Sequence, residues 1–320
     1  MESRSGIAQH QRPRFDYLHH ISLPCRDVEE SKRFYTQVLC GELIHDVPGF
    51  AEVRIADIIF GISQQSGGWT GPTVEYPHYG LNVDGKNFAL ARRWLEACRV
   101  PQHGWTRNYK TALVYFRDPS GNLLELYCDS GYEDIRELAL GPRQGGRPLP
   151  LEALQYQWNG AVGNAAERPR IHSFGHLSMP VRDIEQSKRF FIEVMGGEPM
   201  ATSDPETFTE VRLAGAVVGL STRGGVPTRR DAEYPHYAFH ADAENFLPMI
   251  EWLKGHGVVT PGPWTRDGKK ALMYFRDPSG NLLEIYCRGD FPAASTFPRG
   301  IKQGGSYNTD YAGLYYEWRG

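Results

Sequence analysis

The chain has 320 residues, and at roughly 150 residues per domain this length favours two domains. It carries 35 Lys and Arg against 38 Asp and Glu, so it lacks the excess of basic residues that is typical of nucleic-acid-binding proteins. Hydrophobic residues make up 40% of the chain, and no apolar run approaches the roughly 18 residues of a membrane span. No apolar secretory segment opens the sequence, and its five cysteines form no spaced framework, so reduced thiols in a cytoplasmic protein are expected.

The predicted elements of the first half run strand, helix and strands, and this order then repeats. A strand over 15–24 leads into a helix with Asp27 as its N-cap and Glu30 three residues on, and Gly41 is placed to end it. The Asp-Pro-Ser-Gly segment after Arg117 predicts a turn, because proline presets φ and glycine accepts a positive φ. The remaining predicted elements are strands over 50–56, 58–63, 78–83, 112–117 and 123–128 and a helix over 87–98.

The second half of the chain repeats the first. HHISLPCRDVEESKRFY, from His19, returns as GHLSMPVRDIEQSKRFF, from Gly175, and YFRDPSGNLLELYC, from Tyr115, returns as YFRDPSGNLLEIYC, from Tyr274. Internal repeats of this kind indicate structural units that stack or pair. We therefore predict an α+β fold of four βαβββ units that form two homologous open cups. The predicted segments are a flexible tail (1–14), a first domain with its C-terminal tail (15–162), a linker (163–170) and a second domain with its tail (171–320).

Each half places two histidines and one glutamate on predicted strands among apolar neighbours. An ionised glutamate inside a strand is costly unless it is paired or binds a metal. Two histidines and one carboxylate match the facial triad of non-haem iron sites. A single strand histidine is more often a hydrogen-bonded core residue, but recurrence of all three in both halves favours metal binding. The six predicted ligands are His20, His78, Glu125, His176, His236 and Glu284.

On these motifs the chain resembles the vicinal oxygen chelate superfamily, which includes glyoxalases, epimerases, fosfomycin-resistance enzymes, bleomycin-binding proteins and extradiol dioxygenases. The most specific parts are the histidine-bearing first strand, the Pro-His-Tyr strand and the DPSGNLLE hairpin. The resemblance implies paired βαβββ units around a metal. Both a triad within one half and a triad shared across the halves occur in that family, so His20 joins either Glu125 or Glu284.

A departure from the family pattern concerns the fourth protein ligand of glyoxalases and epimerases. Gly61 and Gly219 lie at or next to its position, and their strands offer no acidic or amide side chain. Three ligands leave positions for substrate and dioxygen or water. This favours extradiol dioxygenases, fosfomycin-type thiol transferases and related lyases.

Tyr115 and Tyr274 lie ten residues before the two glutamates. The hairpin spacing returns each side chain to the glutamate's face, and resembling proteins have a tyrosine there that points at the substrate. These tyrosines are our predicted catalytic residues, although an ordinary strand aromatic is the alternative. At the place where extradiol members often carry an additional acid–base histidine, this chain has Thr106 and Thr265, which argues against a standard catechol-cleaving mechanism.

Three pairs of basic residues recur and are candidates for binding an anionic substrate, since arginine holds carboxylates and phosphonates well. Solvated surface charge is the alternative, above all for the lysines. The pairs are Arg54 with Arg212, Arg107 with Arg266, and Lys110 with Lys269.

The main hypothesis is a non-haem Fe(II) dioxygenase of extradiol type that acts on a small substrate chelating through vicinal oxygens. The alternative is a Mn(II)- or Zn(II)-dependent lyase, isomerase or thiol transferase on an anionic substrate, and a third class is a non-catalytic small-molecule binding protein. The expected partners are a small molecule and, for the first hypothesis, dioxygen, with no nucleic acid and no membrane; a homo-oligomer stays open. The two tails, which share QGG and Tyr-x-Trp patterns, are expected to pack at an interface or to cover a cup.

Overall fold

The computed structural model describes residues 12–65, 71–202, 204–225, 227–289 and 291–320. Most of the predicted flexible tail lies outside these residues. Both halves show the predicted alternation of strands and helices, and the fold is α+β with two large open sheets, as expected. No helix within the described ranges is long and apolar enough to cross a membrane.

The first half supplies nine strands. These are β1 (Tyr17–Cys25), β2 (Glu42–Val47), β3 (Phe50–Ile55), β4 (Ile58–Gln64), β5 (His78–Asn82), β6 (Gln102–Arg107), β7 (Thr111–Arg117), β8 (Leu123–Cys128) and β9 (Ala139–Leu140). The second half supplies β10 (Ser173–Pro180), β11 (Glu198–Pro199), β12 (Phe208–Leu213), β13 (Ala216–Ser221), β14 (His236–His240), β15 (Trp264–Thr265), β16 (Ala271–Arg276) and β17 (Leu282–Cys287).

Four α-helices follow the same repeat. They are α1 (Val28–Arg33), α2 (Gly85–Ala97), α3 (Ile184–Arg189) and α4 (Ala243–Gly255). Helices α1 and α3 each continue into a π-helical turn, over Phe34–Val38 and Phe190–Val194. Short 3₁₀ turns occupy Ile135–Glu137, Pro142–Gln144, Leu151–Leu154, Ala165–Glu167, Pro292–Thr296 and Ile301–Gln303.

The N-cap of α1 is the predicted one, but the helix ends differently. The Asp27 carboxylate accepts hydrogen bonds from the backbone N–H groups of Glu29 (2.8 Å) and Glu30 (3.0 Å). The left-handed residue after the helical segment is Cys40, with φ of 59°, and not Gly41. Gly41 serves close packing instead, because a Cβ there would overlap Val53 and the Tyr35 carbonyl oxygen. The prediction that Gly41 ends the helix was therefore wrong; a glycine stands there because a side chain would not fit.

Each sheet combines the first unit of one half with the second unit of the other. One sheet has the order β15-β16-β17-β14-β1-β4-β3-β2, and the other has β11-β12-β13-β10-β5-β8-β7-β6-β9. The junctions are the antiparallel pairs β1 with β14 and β10 with β5. The two halves thus exchange units, and their exact boundaries at residues 163–170 stay a prediction.

The Asp-Pro-Ser-Gly turn ties the exchanged units of each half back together. The Asp118 carboxylate accepts from the backbone N–H groups of Ser120 (2.9 Å) and Asn122 (2.8 Å), which fixes the turn. The Asn122 amide then donates to the carbonyl oxygen of Pro24 at the end of β1 (3.0 Å). Since β1 and this turn lie in different sheets, the contact joins the two sheets within one half.

Buried residues of both halves form one continuous apolar core. At the crossing of the two sheets, the hydroxyl groups of Tyr79 on β5 and Tyr237 on β14 lie 3.5 Å apart. The tails pack on their own halves, as the Trp158 indole N–H donates to the Cys98 carbonyl oxygen and that of Trp318 donates to His256. The Tyr-x-Trp end of each tail therefore packs against its own half.

Candidate metal centres

Two clusters of histidine and glutamate lie at the junctions between the halves. We call His20, His236 and Glu284 triad I. Its three donor atoms lie 3.2–3.4 Å apart: His20 Nε2 is 3.4 Å from both Glu284 Oε2 and His236 Nε2, and His236 Nε2 is 3.2 Å from Glu284 Oε2. The structure brings these predicted residues together across the halves.

Triad II contains His78, His176 and Glu125 and repeats this arrangement. The Nε2 atoms of the two histidines are 3.3 Å apart, and they lie 3.8 Å (His78) and 3.5 Å (His176) from the Glu125 carboxylate oxygens. Donors that are each about 2.1 Å from one ion are separated by roughly 3.0–3.4 Å in octahedral or tetrahedral geometry. Both triads therefore have spacings close to those of a metal site.

Strand register explains why the triad I side chains converge. His20 on β1 pairs with Ala238 on β14, and Ala238 in turn pairs with Glu284 on β17. His236 lies two residues before Ala238 and so projects from the same face. The small Ala238 side chain between the two flanking ligands leaves the space that a metal would occupy. Gly80 has this role in triad II, pairing with His176 and Glu125.

The converging atoms are acceptors, and this is the strongest sign of a cation site. The Nδ1 atoms of His78 and His236 each lie 2.9 Å from a backbone carbonyl oxygen, of Glu75 and Glu233. Nδ1 therefore carries a proton in both rings, and in the neutral form of each ring the lone pair on Nε2 is available to a metal. Among the described residues, neither oxygen of Glu125 or Glu284 has a hydrogen-bond partner. A divalent metal ion fits this donor set.

Burial and nearby charge shift the pKa values of the triads. Burial raises the pKa of Glu125 to about 8, although Arg107 and Tyr115 act in the opposite direction. Burial also opposes ionisation of Glu284, but His20 and His236 outweigh it and hold the pKa of that carboxyl below its usual range. Burial lowers the pKa of His78 to about 4, so this imidazole is neutral and available as a ligand near pH 7.

The two predicted tyrosines stand directly beside the triads. Tyr115 pairs across the hairpin with Glu125, and Tyr274 pairs with Glu284. Their hydroxyl groups donate to glutamates outside the triads, as Tyr115 donates to Glu75 Oε1 (2.8 Å) and Tyr274 to Glu233 Oε1 (3.0 Å). Burial, strengthened by these carboxylates, raises the pKa of both phenols well above 10, so both stay protonated.

The predicted basic residues have different positions. The guanidinium groups of Arg107 and Arg266 lie over the rings of Trp105 (5.4 Å) and Trp264 (5.9 Å), and the neighbouring triad glutamates raise their pKa values against the effect of burial. Arg54 forms an ion pair with Glu42 (3.2 Å). Lys110, Lys269 and Arg212 are exposed.

A cavity of about 990 Å³ lies beside triad I, and we call it cup I; the triad residues do not line it, but His19 and Tyr286, whose rings contact His20, do. Its lining includes Arg54 and Arg266 of the predicted substrate-binding residues, and Lys269 does not line it. We call the corresponding surroundings of triad II cup II. The tail of each half reaches its cup, since Lys302 donates to Glu233 Oε2 (2.8 Å) and Arg143 donates to the hydroxyl of Tyr76 (2.6 Å).

The structure leaves no room for a side chain at the positions of Gly61 and Gly219, where a fourth protein ligand was considered. A Cβ on Gly61 would lie 2.7 Å from Ser22 Oγ, and one on Gly219 would lie 2.6 Å from Ser178 Oγ. The neighbouring strands instead place Glu52 opposite Gly61 and Glu210 opposite Gly219. Glu52 and Glu210 occupy equivalent positions in the two halves, as the predicted metal ligands do.

Sequence reasoning missed several cup residues that repeat between the halves. The repeat could have revealed them, because each of these residues is identical at the equivalent position of the other half, except that Lys302 takes the place of Arg143. They are Glu52 with Glu210, Glu75 with Glu233, Tyr76 with Tyr234, Tyr127 with Tyr286, and Arg143 with Lys302.

His19, whose place Gly175 takes in the other half, has its Nδ1 2.8 Å from Nδ1 of His20. The register of β1 against β14 shifts between Leu18 and His20, and this β-bulge lets two consecutive histidines meet. Burial lowers the pKa of His19 to about 3, so the ring is neutral and can accept the His20 proton. His19 therefore orients a ligand of triad I.

The fold consists of two open sheets of exchanged βαβββ units, and each sheet holds a two-histidine, one-glutamate triad that is a candidate metal site. The chain belongs to the Glyoxalase/Bleomycin resistance protein/Dioxygenase superfamily, whose sequence profile matches residues 17–126 and 173–285. The resemblance predicted from the motifs is thereby confirmed.

Similar proteins of known name match one half of the chain. The metallothiol transferase FosB of Staphylococcus epidermidis is 28% identical over 118 residues, which is 36% of this chain and 82% of that protein. The glutathione transferase FosA of Serratia marcescens is 26% identical over 117 residues, 36% of this chain and 81% of that protein.

Two solved structures share the whole fold. A putative dioxygenase from Bacillus subtilis matches with a TM-score of 0.62 and 19% identity, over 91% of this chain and 93% of that one. Glyoxalase I from Zea mays matches with a TM-score of 0.56 and 13% identity, over 85% of this chain and 92% of that one. At these identities the likeness shows the fold alone.

Proposed function

We propose that the chain is a divalent-metal-dependent enzyme that acts on a small anionic substrate, in the class of thiol transferases and related lyases. The observation that supports this is cup I, a cavity lined by basic side chains that lies directly beside a buried triad suited to a cation. The names of the similar transferases support the same class. This alternative now takes precedence over the dioxygenase hypothesis.

His20, His236 and Glu284 are proposed to hold the metal in cup I, and His78, His176 and Glu125 to hold it in cup II. Mn(II) or Zn(II), when bound, would supply Lewis acidity that polarises a substrate oxygen. The absence of a fourth protein ligand leaves space for that oxygen. Neutral histidines together with one carboxylate leave net positive charge at such a site, which favours an anionic ligand.

The remaining side chains are proposed to orient the substrate and handle a proton. Arg266 presents a guanidinium whose Nε–H is buried and has no hydrogen-bond partner among the described residues, so it can donate to an anionic oxygen. The Tyr274 hydroxyl donates its single proton to Glu233, and rotation of this O–H away from Glu233 would let the protonated phenol donate to an oxygen that gains negative charge. Lys302 balances the charge of Glu233.

The test uses an epoxide that carries a phosphonate, fosfomycin, together with glutathione or cysteine and the Mn(II)-loaded chain. In this reaction the thiol sulfur bonds to an epoxide carbon, the C–O bond breaks, and the released oxygen takes up the thiol proton. Phosphorus NMR should show a product that depends on metal and thiol and that Tyr274→Phe reduces by about 10²-fold or more. The matched control is Lys269→Thr, since Lys269 is exposed and does not line cup I. Equal product formation with and without metal would contradict the proposal.

A second candidate remains the extradiol-type Fe(II) dioxygenase, because two histidines and one glutamate without a fourth side-chain ligand also suit iron and dioxygen. Its discriminating measurement is oxygen uptake by the Fe(II)-loaded chain with a catechol. Uptake that ceases in His236→Ala, together with no thiol-dependent turnover, would favour this candidate over the transferase.

A further inference from the structure

The two cups share their triads, tyrosines and tryptophan-stacked arginines, but they differ in charge. Cup I has five Lys or Arg residues on its lining against two glutamates, a formal excess of three positive charges before the triad is counted. The five cations are Arg54, Arg266, Lys270, Arg288 and Lys302, and the two glutamates are Glu52 and Glu233.

Two of these cations have no basic counterpart in the repeat. Lys270 immediately precedes β16, on the face that Tyr274 shares, and Thr111 stands at the same place beside Tyr115. Arg288 follows Tyr286 by two residues, and its counterpart is Asp129, whose carboxylate accepts a hydrogen bond from Tyr127. Together these two exchanges separate the cups by three units of charge.

The other ionised residues around triad II do not compensate for this difference. Arg143 packs over the ring of Phe208 at 4.6 Å and, like Arg107, interacts electrostatically with Glu210. Tyr115 donates to Glu75, the equivalent of Glu233. At the positions equivalent to the charged lining residues of cup I, cup II has three arginines against three carboxylates, and Glu206, at the place of Pro48, adds a further negative charge. The residues are Arg107, Arg143 and Arg212 against Glu75, Asp129 and Glu210.

We propose that the two cups bind different ligands: cup I binds a dianionic group such as a phosphonate or phosphate monoester, whereas cup II binds a metal together with a neutral or singly charged ligand. The inference deepens the proposed function and rests on it, because it assigns the anionic substrate to one of the two triads. Lys270 and Arg288 are the residues that determine this specificity. A dianion gains from each added cation in a partly enclosed cavity, and an aspartate at the rim repels it.

The experiment measures binding of methylphosphonate, as the dianion, to the full chain loaded with Mn(II). Calorimetry gives the affinity and the number of sites, and relaxation of the phosphorus nucleus by Mn(II) shows that the anion lies beside the metal. We expect one methylphosphonate and two metal ions per chain. Lys270→Thr with Arg288→Asp, which gives cup I the residues of cup II, should weaken binding about tenfold or more and leave the metal content at two.

The reciprocal pair, Thr111→Lys with Asp129→Arg, should create a second methylphosphonate site. Lys254→Thr is the control, because it removes one positive charge from an exposed residue of α4 outside the cavity lining, and it should change affinity by less than about twofold. Two equal sites in the wild type, or an unchanged affinity in the first double variant, would overturn the inference while leaving the proposed function standing. Absence of any metal-dependent anion binding would overturn both.

Discussion

Glu125→Gln is expected to stabilise the metal-free protein at alkaline pH, although it removes a predicted metal ligand. Both carboxylate oxygens of Glu125 are buried without a hydrogen-bond partner among the described residues, and burial raises the pKa of this carboxyl to about 8 against the opposing effect of Arg107. In the unfolded chain the same group titrates near 4.5. Between these two pH values the unfolded chain has released a proton that the folded protein keeps, so the free energy of unfolding falls as pH rises.

The size of the effect follows from that interval. Each pH unit changes the free energy of unfolding by about 1.4 kcal/mol, so the full interval from 4.5 to about 8 corresponds to about 5 kcal/mol. This is an upper limit, because a buried carboxylate gains some solvation from local relaxation. The isosteric glutamine has no charge to bury, so the variant should lack this slope.

The assay is urea unfolding followed by tryptophan fluorescence, with chelator present, at pH values below, within and above the interval. Glu284→Gln is the matched control, and its pH dependence should be opposite. His20 and His236 hold the pKa of Glu284 below its usual range, so the ionised carboxylate stabilises the folded protein above that range. This stabilisation is lost as pH falls and the carboxylate is protonated. With saturating Mn(II) the wild type should become more stable than Glu125→Gln. Parallel pH profiles of wild type and Glu125→Gln without metal would refute the idea that the uncompensated carboxylate destabilises triad II.

Three further variants test the architecture. His20→Ala should reduce the metal content from two ions per chain to one by plasma emission spectrometry, and adding Glu284→Gln should lower it no further because both belong to one triad. Gly80→Ala should abolish the second metal site, since the new Cβ would overlap the ring of the β10 histidine, whereas Ala238→Gly at the equivalent place should retain both metals. Asn122→Ala should lower the free energy of unfolding by about 1–3 kcal/mol in the same urea assay, because it removes the amide donor to the buried Pro24 carbonyl oxygen and one of the two donors to Asp118 Oδ2, the other being Tyr35; an unchanged midpoint would contradict that.

The sequence predicted the repeat, the fold class and the six residues that the structure collects into two clusters. The six residues could be predicted because a glutamate among apolar strand residues is rare, and its recurrence together with two histidines in both halves is difficult to explain by chance. Strand β2 was not located with its own bounds, since five of its six residues are exposed and its sequence shows no alternation. The partners of the tyrosines were also missed, because the spacing of about 40 residues from Tyr115 to Glu75 reflects tertiary packing.

Whether the units pair within a half or across the halves could not be predicted from the sequence, for a physical reason. The β1–β14 and β10–β5 junctions have matching registers, as Ser22 pairs with His236 and Ser178 pairs with His78. Because the repeats are so similar, pairing within a half and pairing across halves would make nearly the same backbone hydrogen bonds. Their difference in free energy then resides in the loops and in contacts such as Asn122 with Pro24, which no local pattern reveals.

Exchange of units between the halves has a consequence for how the two cups can differ. Each half carries a complete ligand set, so two separate copies of one half could pair in the same way around a two-fold axis. In such a pair a single substitution would alter both cups equally. Joining the copies in one chain removes that constraint, and the exchanges of Lys270 for Thr111 and Arg288 for Asp129 are differences that only a fused chain can hold. Cup I gains its excess of positive charge without any change at triad II, so one chain can keep two similar triads and, as proposed, present them to different ligands.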